Sequence, residues 1–212
     1  MADPIASKQP APMIYIVDDD EALRGALGSL LRSVGMQVQA YASAAAFLQR
    51  AALDAPSCLL LDVRLQGISG LDFQAELLKS GSTMPVILMT GHGDIPMSVR
   101  AMKAGAIDFL TKPFREQDLL DAVGVALDKD RKSRESRQAS SGLAARYASL
   151  TPRESEVMKL AASGLLNKQI AGQLGTSEIT VKIHRGNAMK KMQAKSFADL
   201  VRMVQALEPP SS

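Results

Sequence analysis

Residues 13–24 read MIYIVDDDEALR. Five apolar residues, Met13 to Val17, run straight into four carboxylates, Asp18, Asp19, Asp20 and Glu21. A short apolar run of this length, bounded by polar residues, reads as a buried strand. Four adjacent like charges repel one another, so a strand ending in them points to a positive partner. Asp20 also reads as the cap of a following helix, and Glu21 as a first-turn charge favoured by the helix dipole.

Four further strand-like runs follow: QVQAYA (37–42), SCLLLDV (57–63), PVILMTG (85–91) and IDFLTK (107–112). Helical patterns lie between them near 20–34, 43–52, 69–79 and 94–104, and a fifth begins near Glu116. Strands alternating with helices predict an α/β unit with right-handed crossovers and a parallel sheet covered on both faces. The third and fourth strands are almost wholly apolar, as buried parallel strands are.

The composition then changes. Residues 128–142, DKDRKSRESRQASSG, are charged and Ser-rich. They read as an exposed continuation of the fifth helix that frays towards Gly142. Beyond them only helices are predicted. Thr151-Pro152-Arg153-Glu154 has the form of a capping box with proline at the first helical position. Gly164 ends that helix. A short helix follows over about 167–174, stopped by Gly175. Ser177 caps a third, to about Met192, and Ser196 a fourth, to about Leu207. The expected organisation is a disordered N-terminus (1–12), a first domain (13–127), a helical or flexible linker (128–146), an all-α second domain (147–207) and a tail (208–212).

The totals narrow the function. The chain has 212 residues, 46% of them hydrophobic, with 4% aromatic content and no Trp. Stacking on single-stranded nucleic acid is therefore not its main activity. The one cysteine, Cys58, excludes an internal disulfide and reads as a small buried hydrophobe. No signal peptide or membrane-length apolar run is visible, so a soluble, cytoplasmic protein is expected. Residues 1–129 hold 11 Lys/Arg against 15 Asp/Glu, a net −4, and residues 130–212 hold 14 against 7, a net +7. The basic half is the candidate for nucleic acid.

In a doubly wound sheet, ligands bind beyond the carboxyl ends of the strands. Asp18 and Asp19 end the first strand and Asp62 the third. If those strands are neighbours, three carboxylates share a pocket and need a cation. An oxygen-ligand set of this kind suits Mg²⁺. Thr90 ends the fourth strand and Lys112 the fifth. A carboxylate nucleophile, a metal site, a hydroxyl and an ammonium together form a phosphoryl-transfer constellation. Any one alone is ordinary, since a strand-end Asp is usually a helix cap and a Lys-Pro usually a turn.

The strings VDDDEALR, LLLDVRLQGISG, TGHGD and AGAIDFLTKPF resemble the receiver domain of a two-component response regulator. The resemblance implies a flavodoxin-like (βα)₅ fold with sheet order 2-1-3-4-5. It makes Asp62 the phosphate acceptor. Asp18, Asp19, Asp62 and the backbone carbonyl of Arg64 become the Mg²⁺ (or Mn²⁺) ligands. Thr90 and Lys112 contact the phosphoryl group, Phe109 is the aromatic switch, and the bond to Pro113 is cis. The family usually has proline where this chain has Gln66, which predicts a looser loop there. A histidine kinase is the implied donor, and helix four, strand five and helix five the implied dimer face. On that face Met97 and Met102 read equally well as ordinary helix packing.

In the basic half, the second and third helices, joined through Gly175-Thr176-Ser177, have helix-turn-helix spacing. On an ideal helix Val181, His184, Ala188 and Met192 share an inward face. Lys182, Ile183, Gly186, Asn187 and Lys190 share the opposite one, suited to the major groove. Lys168, Arg185, Lys190, Lys191 and Lys195 are candidates for phosphate contacts. A basic solvated face with no ligand accounts for the same charges. Gly186 costs about 1 kcal/mol relative to Ala in mid-helix, which close approach to DNA or simple drift explains. The string LTPRESEVMKLAASGLLNKQIAGQLGTSEITVKIHRGNAMKKMQAKS resembles the LuxR-type helix-turn-helix domain, and TVKIHRGNAMKKMQAKS, together with TGHGDIPMSVRAMKAGAIDF in the first domain, most resembles the FixJ branch of the FixJ/NarL regulators. That resemblance implies a last helix that supports dimerisation on promoter DNA, with RNA polymerase as a further partner.

The expected function is a phosphorylation-switched regulator of transcription, in the activating sense. Two alternatives stand beside it. An orphan regulator would bind DNA without phosphorylation. A Mg²⁺-dependent phosphohydrolase of the haloacid dehalogenase type would place its nucleophile in a D-x-D-x-T/V pattern at strand one, where this chain has Ala22 after Asp18-Asp19-Asp20-Glu21; Asp62 at strand three is the better nucleophile, and no cap insertion is visible.

Overall fold

The computed structural model describes residues 11–51, 53–91 and 95–207. The disordered N-terminus expected over 1–12 and the tail expected over 208–212 lie outside them, residues 11 and 12 excepted. The chain falls into two compact units that divide between Arg134 and Glu135.

In the first unit, β1 (Met13–Val17), β2 (Gln37–Tyr41), β3 (Ser57–Asp62), β4 (Val86–Thr90) and β5 (Asp108–Thr111) alternate with α1 (Glu21–Ser33), α2 (Ala44–Leu48), α3 (Gly70–Lys79), α4 (Ile95–Lys103) and α5 (Glu116–Ala148). All strand pairs are parallel, in the order β2-β1-β3-β4-β5. The reversal of strand order lies between β1 and β3. Side chains two apart on a strand share a face, and two cores follow from that period. Tyr15, Val17, Leu59, Leu61 and Leu88 face Phe47 of α2, Phe73 of α3 and Ala101 of α4. Ile14, Ile16, Cys58, Leu60 and Ile87 face Leu27 and Leu31 of α1 and Leu119 and Val123 of α5. Phe47 centres the first core, edge-on to Tyr15 at 5.6 Å and to Phe73 at 5.9 Å between ring centroids. Cys58 is fully buried, and burial, with the charge of Asp130 added, pushes its thiol well above the ordinary range.

α2 is shorter than the 43–52 predicted. It starts at the Ser43 cap and ends before Gln49. α5 departs further: it runs unbroken through Gly142 to Ala148 and does not fray. Lys, Arg, Glu, Gln and Ala, all strong helix formers, outweigh the Ser residues and Gly142 within residues 128–142. Asp128–Arg131 and Asp130–Arg134 ion pairs support its middle turns. Buried Asp130 also accepts the Ser57 N–H at 2.9 Å, and Arg134 reaches Asp54 at 2.6 Å. The Asp130 side chain thus ties α5 to the backbone at the start of β3.

In the second unit, Leu143 and Tyr147 of α5 pack with α6 (Pro152–Ala162), α8 (Glu178–Met192) and α9 (Phe197–Leu207) around Met158, Ala188, Met192 and Leu200. α7 (Asn167–Leu174) closes a second cluster through Ile170, Val157 and Val181. Thr151 and Glu154 form the predicted capping box. Gly175 takes the left-handed conformation after α7, at φ 63°, and Ser177 caps α8.

Candidate functional site

The parallel sheet brings the ends of β1, β3, β4 and β5 together, and with them the residues singled out in the sequence. Asp18 and Asp62 are buried and Asp19 is exposed. One carboxylate oxygen from each lies within 4.8 Å of the others. Lys112 Nζ donates to Asp18 Oδ2 at 2.7 Å and to Asp62 Oδ1 at 2.6 Å. Burial works against its charge, but the hydrogen bonds and charges of the two carboxylates outweigh it and hold its pKa above the ordinary lysine value. Thr90 is fully buried at the end of β4, and its carbonyl accepts the Lys112 N–H at 2.6 Å. Phe109 is half-buried against the first core. The Lys112–Pro113 bond is cis.

Backbone donors fix the carboxylates. Asp62 Oδ2 accepts the Arg64 N–H at 2.8 Å, and Asp18 Oδ1 accepts the Asp20 N–H at 2.9 Å. Asp20 caps α1 by accepting the Leu23 N–H at 3.1 Å, as read from the sequence. Three carboxyl groups against one ammonium make an acidic, partly buried space. That imbalance, with oxygen-only donors, fits a hard divalent cation.

Two neighbours of the site went unread in the sequence. Arg24 donates to the Asp18 carbonyl at 2.7 Å and anchors the acidic turn from α1. Gly70, which opens α3 after the Ser69 cap, lies against the Asp62 backbone, where a Cβ would collide with the Asp62 carbonyl. Its N–H donates to the Val63 carbonyl at 2.9 Å. The Gln66 loop, expected to be loose, is closed at its base by an antiparallel bridge between Arg64 and Ser69. The Ser-Gly pair at a helix start was the available signal for Gly70, whereas nothing local marks Arg24.

On α8, Val181, Ala188 and Met192 are buried and His184 is half-buried. Lys182, Ile183, Gly186, Asn187 and Lys190 are all exposed on the other side, as are Lys168 of α7 and Lys195. Two of the residues expected at phosphates have partners within the unit. Lys191 Nζ pairs with buried Glu154 at 2.6 Å, joining α8 to the α6 cap. Arg185 donates to Asn167 Oδ1 at 3.2 Å and stacks over the Phe197 ring at 4.1 Å. A cap carboxylate and an aromatic face satisfy these cations, and neither partner is close in sequence. An added Cβ at Gly186 would meet nothing within 4 Å beyond its chain neighbours and the surrounding helix backbone, so tertiary packing does not require glycine there.

Comparison with known proteins adds the following. Residues 14–124 match the response regulator receiver domain, and residues 148–204 match the bacterial regulatory proteins of the luxR family. Nodulation protein W of Bradyrhizobium diazoefficiens is 55% identical over 195 residues, 92% of this chain and 86% of that protein. The transcriptional regulatory protein FixJ of Azorhizobium caulinodans is 44% identical over 190 residues, 90% of each chain. The solved structure of response regulator StyR is 46% identical, covers 92% of this chain and 98% of its own, and superposes with a TM-score of 0.86.

Proposed function

The chain belongs to the two-component response regulators with a LuxR-type DNA-binding domain, which regulate transcription and are not enzymes, and from that premise we propose that Asp62 is the phosphate acceptor that switches its binding to promoter DNA. The single observation that carries this reading is the placement of Asp62. It is a buried carboxylate held by the Arg64 N–H and Lys112, beside Asp18 and Asp19.

The receiver implies a histidine kinase as partner. In the proposed step, an Asp62 carboxylate oxygen attacks the phosphorus of a phosphohistidine. The P–N bond breaks as the P–O bond forms, and the imidazole leaves with the electron pair and takes up a proton. Asp18, Asp19, Asp62 and the Arg64 carbonyl would hold Mg²⁺ or Mn²⁺, which supplies charge neutralisation at the phosphoryl oxygens. Lys112 and the Thr90 hydroxyl take the remaining oxygens. Thr90 drawn towards the phosphoryl group opens space into which Phe109 turns, a local event biasing a two-state surface. That surface is α4, β5 and α5, where Val99 and Met102 are exposed. Dimerisation there raises affinity for paired half-sites through effective concentration. Lys182, Ile183, Gly186 and Asn187 face bases, and Lys168 and Lys190 face phosphates. Transcription is activated by recruitment of RNA polymerase.

Among the described residues no helix is long and apolar enough to cross a membrane, and the site of action is the cytoplasm. The test is intact-mass spectrometry after incubation with acetyl phosphate and Mg²⁺, comparing wild type with Asp62→Asn. Gain of one phosphoryl group by wild type alone is expected. Equal gain by both would remove Asp62 from its role.

A further inference from the structure

We infer that Ile179 is a sequence-reading residue of α8, contacting the C5-methyl group of a thymine in the major groove. The inference rests on the proposed DNA-facing side of α8 and extends it by one residue that the sequence reading passed over.

Ile179 is 73% exposed, the most exposed of the large hydrophobic residues described, and Ile183, four residues on, is 57% exposed. At about 100° per residue, with Lys182 at zero, Gly186 stands about 40° round the helix, Lys190 about 80°, Ile183 about 100° and Asn187 about 140°. The buried residues Val181, Ala188 and Met192 cluster near about 260°. Ile179 falls at about 60°, near the middle of the exposed arc and opposite the buried one. It also lies one turn nearer the helix N-terminus, the end that approaches base edges when a recognition helix enters the groove.

The isoleucine side chain donates and accepts no hydrogen bonds. It has no polar base edge to read, and it gains nothing from phosphate. The thymine methyl is the apolar group that the major groove offers. The arc around Ile179 carries exposed Lys182 and Lys190 in a half-chain of net charge +7. That charge favours a polyanion over an apolar protein face as the occupant. Four residues of helix rise about 6 Å, close to two base steps of about 3.4 Å each. Ile179 and Ile183 therefore suit apolar contacts about two base pairs apart.

The test uses the full chain, treated with acetyl phosphate and Mg²⁺, to select binding sites from a randomised duplex library. Each dT of the selected half-site is then replaced by deoxyuridine, which removes only the methyl. Affinities at fixed salt are measured for wild type, Ile179→Ala and Lys182→Ala. One position is expected at which uracil weakens wild-type binding about fourfold, the worth of one buried methyl-sized group, and leaves Ile179→Ala binding unchanged. If uracil at every position affects wild type and Ile179→Ala equally, while Lys182→Ala binds more weakly, the assignment of Ile179 falls and the DNA-facing side stands. If Lys182→Ala binds as wild type does, the DNA-facing side is wrong and the inference falls with it. A loss confined to transcription with RNA polymerase, at unchanged DNA affinity, would assign Ile179 to a protein partner and overturn the inference.

Discussion

Lys191→Met separates two roles for one cation. The structure pairs Lys191 with Glu154, whereas its position on α8 equally suits a DNA phosphate. Glu154 is 4% exposed, and its carboxylate also accepts the Thr151 N–H at 2.8 Å. Methionine keeps the length and apolar stem of lysine but leaves the carboxylate with the cap donor alone. A buried group stripped of a partner costs about 1–3 kcal/mol. The Lys191 side chain is 37% exposed, so water reaches the pair from that side, and the low end, about 1 kcal/mol, applies. Amide hydrogen exchange of α6 and α8 in the full chain should then speed up about fivefold, since about 1.4 kcal/mol is a factor of ten. Acid sensitivity should change as well. The hydrogen bond from Lys191, followed by that from the Thr151 N–H, holds the Glu154 carboxyl below its ordinary pKa. A depressed folded-state pKa contributes stability that is complete above the unfolded value, about 4.3, and is lost as pH falls through the folded value. The mutant should lose much of that component. DNA affinity measured across salt concentrations should keep its slope, because each phosphate contact contributes about 0.9 to it. Unchanged exchange together with a slope lower by about one would refute the intradomain role and return Lys191 to the phosphates.

Three further outcomes follow from the geometry. Phe47→Ala empties the centre of an aromatic cluster and should cost the receiver about 3–5 kcal/mol, read as a lowered urea midpoint; a shift below 1 kcal/mol would show that the core collapses into the space. Gly70→Ala should slow phosphoryl acceptance by Asp62, measured by intact mass over time, because the Asp62 carbonyl must move; wild-type kinetics would mean that the α3 start shifts instead. Gly186→Ala should stabilise the second unit by up to about 1 kcal/mol in calorimetry and weaken DNA binding if the helix approaches the groove closely at this point. Unweakened binding would leave the glycine without a role on that face.

The fold was legible where a one-dimensional period determines it. Alternate residues of β1 and β3 divide between two cores, and the strand-helix rhythm alone indicates a parallel sheet. The site was legible because parallel strands present their ends together, so residues far apart in sequence but alike in position had to converge. What stayed hidden depends on partners distant in the chain. Arg185 and Lys191 look free on a helical wheel, but Phe197 and Glu154 occupy them. Asp130 sits in a charged run that reads as solvated, and its buried bond to Ser57 spans 73 residues. The length of α5 is hidden for a different reason: Ser and Gly142 suggest fraying, although the helix formers around them are in the majority.

Cys58, sealed within β3, gives the molecule a built-in reporter. As the sole thiol of the chain, with no exposed surface, it reacts with an alkylating reagent only when the receiver opens. The labelling rate of the unaltered protein then measures the free energy of opening, with and without acetyl phosphate treatment. A cysteine engineered on the surface would react long before Cys58, so a fluorophore or spin label could be placed at one chosen position without first removing a native thiol.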